Sequence, residues 1–342
     1  MRKLIIALLV ASVTACGGSD GGGLVANPAT PATTLASNQL VFDSTRLSTN
    51  REIYAMKTDG TGITRLTNNA AYEHWWPRIS PDRKKILFYR RPAGVQADDY
   101  AQASLWVMNA DGSNVTQLIA QNANGWLMQG HAEWSPDGTK LAMFGSVGAG
   151  VNATLQIFVT NASGGSPVQY TNQPGINTDV SWSPDGTKLL FNGCPALPAP
   201  CTSPANYEIF VMASNAPLST PTRLTNDALA DYDPYFSPNG LSIAWLTNTN
   251  PAANNGIGAW NIRVADVSSS NPMTLAAAII IPNDGQINSK PAWSLDGNTI
   301  YFHRMDLTQE PLFGVFSMGK TGMGLTRLTN TGTGVNEFPS NY

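Results

Sequence analysis

A short phrase recurs along this chain and limits its fold more than any other feature. It reads Ile79-Ser80-Pro81-Asp82, Trp134-Ser135-Pro136-Asp137-Gly138, Trp182-Ser183-Pro184-Asp185-Gly186, Phe236-Ser237-Pro238-Asn239-Gly240 and Trp293-Ser294-Leu295-Asp296-Gly297. The serines are 55, 48, 54 and 57 residues apart. A unit of that size cannot bury both of its faces alone, so the copies must stack on one another. The phrase itself is a turn, because Pro fixes φ and Gly tolerates positive φ. Alternating apolar runs follow it, such as Lys85-Ile86-Leu87-Phe88 and Leu189-Leu190-Phe191. Their period of two reads as strand. Each unit then has a third run (Ile53-Tyr54-Ala55-Met56, Ile209-Phe210-Val211-Met212) and a short fourth, clearest as Thr64-Arg65-Leu66-Thr67, Thr222-Arg223-Leu224-Thr225 and Thr326-Arg327-Leu328-Thr329.

Four short antiparallel strands, repeated at this interval, predict an all-β propeller. The ends fix the count. Phe338-Pro339-Ser340-Asn341-Tyr342 matches a first strand, and Gln39-Leu40-Val41-Phe42 matches a second. A sixth unit is therefore expected to close from both termini, which removes the open edge of a linear array. Composition agrees: 31 Gly and 23 Pro favour turns, and 42% hydrophobic residues supply a core. Residues 38–342 are thereby assigned to one six-bladed domain. The Trp134, Trp182 and Trp293 position is expected to fill the joint between units.

These motifs, repeated through nearly the whole chain, resemble the TolB-type (PD40, WD40-like) propeller repeat. The resemblance implies a six-bladed propeller of the bacterial envelope, and a propeller's rigid scaffold with variable loops on one face suits recognition of a partner. Only residues 17–37 precede the first strand, so the α/β domain that TolB carries before its propeller is expected to be missing. Related propellers also form the non-catalytic half of prolyl oligopeptidase-like enzymes and a metal-dependent pectin-oligosaccharide lyase.

The N-terminus supports export. Arg2 and Lys3 precede a short apolar run, too short to span a bilayer, as in a signal peptide. Val13-Thr14-Ala15-Cys16 resembles a lipobox, implying cleavage after residue 15, lipidation of Cys16 and a Gly-rich tether over residues 16–37. Gly17 after the cysteine implies the outer membrane, facing the periplasm. Loss of Arg2 and Lys3 leaves 18 basic against 23 acidic side chains. That balance excludes a broad nucleic-acid-binding face. Cys194 and Cys201 are expected to form a local disulfide in an oxidising compartment.

The candidate site is the axis. Aligned on Pro77, the preceding position reads Trp76, His131, Asp179, Asp233, Lys290 and Phe338, and two residues earlier it reads His74, Gln129, Asn177, Asp231, Asn288 and Asn336. Two polar rings around a hydrated pore mouth are expected. Of these, His74, Trp76, Gln129, His131, Asp179, Asp231, Asp233, Lys290 and Phe338 are the expected partner-binding residues, with Trp76 and Asp233 removable at little cost in stability. The main reading is a monomeric, non-enzymatic scaffold for a protein or peptide, without a cofactor or a resident metal. The alternative is a carbohydrate-binding or lyase-like protein using His74, Gln129 and His131, since imidazole is a common metal ligand.

Other motifs fail on context. Gly314 to Thr321 spells a P-loop, but it falls on a third-strand run with no helix to follow. Gly17-Gly18-Ser19-Asp20-Gly21 spells a nucleophile elbow inside a tether. Asp227, Asp231 and Asp233 do not match a calcium loop and read as solvated loop charge.

Overall fold

The computed structural model describes residues 34–95, 100–148, 153–173, 175–194, 207–256, 258–270, 272–305, 313–330, 332 and 334–341. Cys16, expected to be lipidated, the residues 17–33 of the expected tether with their elbow-like motif, and Cys201 lie outside them. Cys194 is disulfide-bonded.

The protein is an all-β propeller. Unit one shows the plan: first strand Tyr72–Ile79, second Lys85–Pro92, third Ser104–Asn109 and fourth Thr116–Ile119, hydrogen-bonded in sequence order. Units two to five begin with Gln129–Trp134, Asn177–Trp182, Ala230–Phe236 and Ile287–Trp293. The last unit is closed as its sequence requires: Asn336–Ser340 pairs antiparallel with Gln39–Ser44, so a C-terminal strand completes an N-terminal sheet. The hydrogen-bonded sheets number five where the sequence counts six units. Four sheets have four strands, and one has eight because the parallel pair Trp260↔Ile287 joins units four and five.

The repeated residues explain the repeated backbone. In every copy of the turn the Ser hydroxyl donates to the Asp or Asn two residues on, at 2.5–2.8 Å. The same hydroxyl accepts the backbone N–H that opens the second strand, as Lys140 shows at 2.9 Å. Gly138, Gly186, Gly240 and Gly297 have φ of 68–71°. Arg83 takes that place in unit one at φ 59°. Its guanidinium donates to the carbonyls of Leu35, Ala36, Gln39 and Asn341, clasping both chain ends at the closure.

The Arg-Leu-Thr runs hold the outer strand. Arg223 donates to Glu208 at 2.5 Å and Thr225 donates to Glu208 at 2.6 Å, while Thr225 accepts from the N–H of Ile209. Apolar side chains fill the joints: Phe144 and Ile157 of unit two pack in one cluster with Val180, Leu189 and Phe191 of unit three. The tryptophans of the phrase span the same joints. Trp134, Trp182 and Trp293 donate their indole N–H to Arg78, Glu133 and Tyr235 carbonyls in the preceding unit's first strand, at 3.1–3.3 Å.

Candidate functional site

Each first strand breaks its ladder once. Register slips fall between Trp75 and Arg78, Gly130 and Glu133, Thr178 and Ser181, Tyr232 and Tyr235, and Ser289 and Ala292. In the closing unit the slip lies between Val41 and Asp43, opposite the C-terminal strand. A bulge re-aims a side chain. The re-aimed residues are Trp76, His131, Asp179, Asp233, Lys290 and Phe338, with φ of 50–58° in every case. This is the ring read from the sequence. Pro follows it in four units, since a residue without an N–H is tolerated where the ladder is already broken.

The six side chains meet and close the axis. The Trp76 ring stacks on His131 at 3.9 Å and lies 5.0 Å from Phe338. Lys290 Nζ sits 3.5 Å from the Trp76 ring centre and 2.8 Å from Asp233 Oδ1. His131 Nδ1 meets Asp179 Oδ1, and the Tyr100 hydroxyl bonds His131 Nε2 at 2.8 Å. With Nδ1 donating to the carboxylate, Nε2 is the acceptor and Tyr100 the donor. All except the partly buried Phe338 are buried. A hydrated pore mouth is thus not what forms. Stacking and ion pairing engage these groups with one another.

Burial also governs the charges. It pushes the Asp233 and Asp179 carboxyls up and the Lys290 ammonium and His131 imidazole down. His303, behind Phe338, accepts the Phe338 N–H at 3.2 Å, and burial drives its pKa down to about 3. Because Lys290 and Asp233 are buried and paired, removing either leaves a charge stranded in a low dielectric. The expectation that Asp233 is removable at little cost in stability is corrected accordingly.

A second closed layer lies two residues further along, and the sequence reading missed it. Arg78 donates to Glu133 at 2.5 Å and stands over the Trp76 ring at 4.5 Å, while the Tyr235 hydroxyl donates to Glu133 at 2.8 Å. A small cavity opens beside it, lined by Arg78, Tyr235, Pro291, Ala292, Pro339 and Ser340. The same alignment shifted by two residues would have shown this layer, because strand side chains repeat with period two.

The expected outer ring is corrected more fully. His74, Gln129, Asp231 and their equivalents do not rim a mouth but are buried in the joints between units. His74 Nδ1 meets Glu52 Oε2 at 2.9 Å, and Nε2 accepts from Arg90 at 3.1 Å. Gln129 donates to the Ala103 and Ala120 carbonyls. Asn288 donates to the Trp260 carbonyl. These residues pin each first strand to the preceding unit, so His74 and Gln129 are engaged away from the ligand set expected of them. The ligand atoms that the axis does gather, within 4.8 Å of one another, belong to His131, Asp179 and Asp233. Asp231 and Asp233 are likewise buried strand residues and not solvated loop charge, while Asp227 is exposed and paired with Arg263. The P-loop-like segment runs through the strand Phe313–Gly319.

No family model matches the chain, and no curated protein matches it. Solved structures do. TolB from Acinetobacter baumannii aligns with a TM-score of 0.67 at 15% identity, covering 90% of this chain and 68% of that one. A putative TolB from Agrobacterium tumefaciens aligns at 0.60 and 18% identity, covering 85% and 88%. An oligogalacturonate lyase from Vibrio parahaemolyticus aligns at 0.54 and 12% identity, covering 86% and 74%. At these identities the likeness is one of fold.

Proposed function

We propose that this chain is a non-enzymatic binding scaffold, a six-bladed TolB-like propeller that recognises a protein or peptide partner at its axis. The reading places it in the bacterial envelope, lipid-anchored through Cys16. One observation carries the binding role. Six non-glycine residues hold left-handed backbone at one ring. Each costs about 1 kcal/mol, which Gly would relieve, and strain of this kind is retained where a side chain must be aimed. The residues aimed there differ in every unit but the two aspartates; being buried, they fix the six units against one another and leave the exposed connections around the axis, such as that of Leu127, to read a partner.

Crosslinking tests the binding role. Leu127 is 49% exposed in the connection entering Gln129–Trp134. Leu241 is 63% exposed in the turn leaving Ala230–Phe236, at the opposite end of a first strand. A photo-crosslinker at Leu127 should capture a discrete envelope partner, and one at Leu241 should not. Equal capture from both, or none from Leu127, defeats the reading. Anchoring is tested separately: Cys16→Ser should move the protein from the membrane fraction to the soluble one.

The His131, Asp179 and Asp233 trio favours a second reading, a metal-dependent carbohydrate-active protein. Metal analysis of the purified protein separates the two.

A further inference from the structure

Eight carboxylates are buried among the described residues: Asp43, Glu52, Glu133, Asp179, Glu208, Asp231, Asp233 and Glu337. Seven of them face an arginine, lysine or histidine. Asp231 does not. It is fully buried, burial pushes its carboxyl up to about 7, and the hydroxyls of Thr247 and Thr225 are the only side-chain donors near it, neither in good hydrogen-bond geometry. The one guanidinium whose field reaches it, that of Arg263, is bound to Asp227 at 2.6 Å. An unpaired buried carboxylate is among the most costly groups a fold can carry.

Its surroundings are oxygen. Asp231 pairs across the sheet with Thr247, and Thr247 with Asn261, so the three share one face of unit four. Thr247 and Asn261 are also fully buried; Asn261 Oδ1 has no hydrogen-bond partner, and Thr247 Oγ1 has none beyond its approach to Asp231. Asn261 Nδ2 donates to Thr249 at 2.7 Å, which fixes the amide with its oxygen free.

The corresponding residues of other units are arranged differently. In units one and five the middle residue is Arg90 or Arg304, so the chain supplies its own cation. In units two and three it is Gly145 or Gly193, and in the closing unit Ser44 donates to Asn336 at 2.8 Å. Unit four alone combines a carboxylate with two further oxygens and no internal cation.

We propose that Asp231, Thr247 and Asn261 hold a dehydrated alkali-metal cation over Thr247. Asp231 and Asn261 are two strand spacings apart, about 9.6 Å. Two cation–oxygen bonds of about 2.4 Å take up half of that. The remainder is about 2.4 Å for each side chain to lean inward, within the reach of Asp and Asn. One carboxylate balances one positive charge, whereas a divalent ion would leave a net charge buried. A proton on Asp231 would satisfy a single oxygen, and a cation satisfies all of them.

Thermal melts of the full chain at fixed ionic strength, in sodium chloride and in tetramethylammonium chloride, test the proposal. Tetramethylammonium is too large for the site. Sodium should raise the melting temperature by about 2–4 °C over tetramethylammonium, as expected when a ligand near ten times its Kd binds only the folded state. Thr247→Val, which keeps shape and removes one ligand, should reduce that increment, and Asp231→Asn should abolish it. A melting temperature independent of the cation in the wild type overturns the proposal in favour of a protonated acid or a buried water. An increment that persists in Asp231→Asn overturns the site, and one that appears only with submillimolar calcium overturns the choice of a monovalent ion.

Discussion

In the Ser-Pro-Asp-Gly turns, five units place the same hydroxyl on the same side-chain oxygen, within a few tenths of an ångström. In the axial ring, all six units repeat a backbone angle to within 8°, yet five residue types occupy it. Both regions are repeats in geometry, but only the turn is a repeat in chemistry. A turn is satisfied by its own atoms, so every unit solves it in the same way. The ring is satisfied only by neighbours from other units, so each position must complement a different partner: Trp76 with His131, His131 with Asp179, Asp233 with Lys290.

That contrast predicts unequal costs. The largest is at the axis. Asp233→Ala should strand the Lys290 ammonium and cost about 3–5 kcal/mol in urea unfolding. Adding Lys290→Met should recover most of the loss. A single variant of wild-type stability would show the ring to be as self-contained as the turns.

Acid sharpens the same point. His303 titrates near 3 when folded and about 6.5 when unfolded. Between those values the unfolded chain binds the extra proton, so stability falls as pH falls, by up to about 1.4 kcal/mol per unit. His303→Gln should flatten this arm of a pH-dependent melt.

Arg83→Gly restores the turn consensus and relieves a left-handed residue. If turns were wholly local it would stabilise. We expect a net loss of about 2 kcal/mol instead, because the guanidinium holds four carbonyls at the closure. Ser183→Ala is the smallest change: loss of the bond to Asp185 should cost about 1 kcal/mol in the same assay, and Ser135→Ala should match it.

The propeller, its terminal closure, the turn chemistry and the six ring positions were legible in the sequence, because each rests on local spacing or on alignment of one unit with the next. Trp134, Trp182 and Trp293 reach the preceding unit as expected. The same alignment misplaced His74, Gln129 and Asp231. It identified them as equivalent but carried no information on which neighbour each side chain faces. Strand alternation gives the face of a sheet, and the twist between stacked sheets determines what that face meets. The Arg78, Glu133 and Tyr235 layer was missed for a related reason. Its three residues lie up to 157 positions apart, and nothing short of the closed ring brings them within hydrogen-bond distance.

The sequence by itself therefore determined the repeat, the strand order and the residues aimed inward, since hydrogen bonding and turn geometry act over a few positions. Only the tertiary structure decided that the axis is shut, that its charges are paired and buried, and that the second ring seals joints. Those outcomes depend on distances between different units, which are set when the first strand and the last join in one sheet.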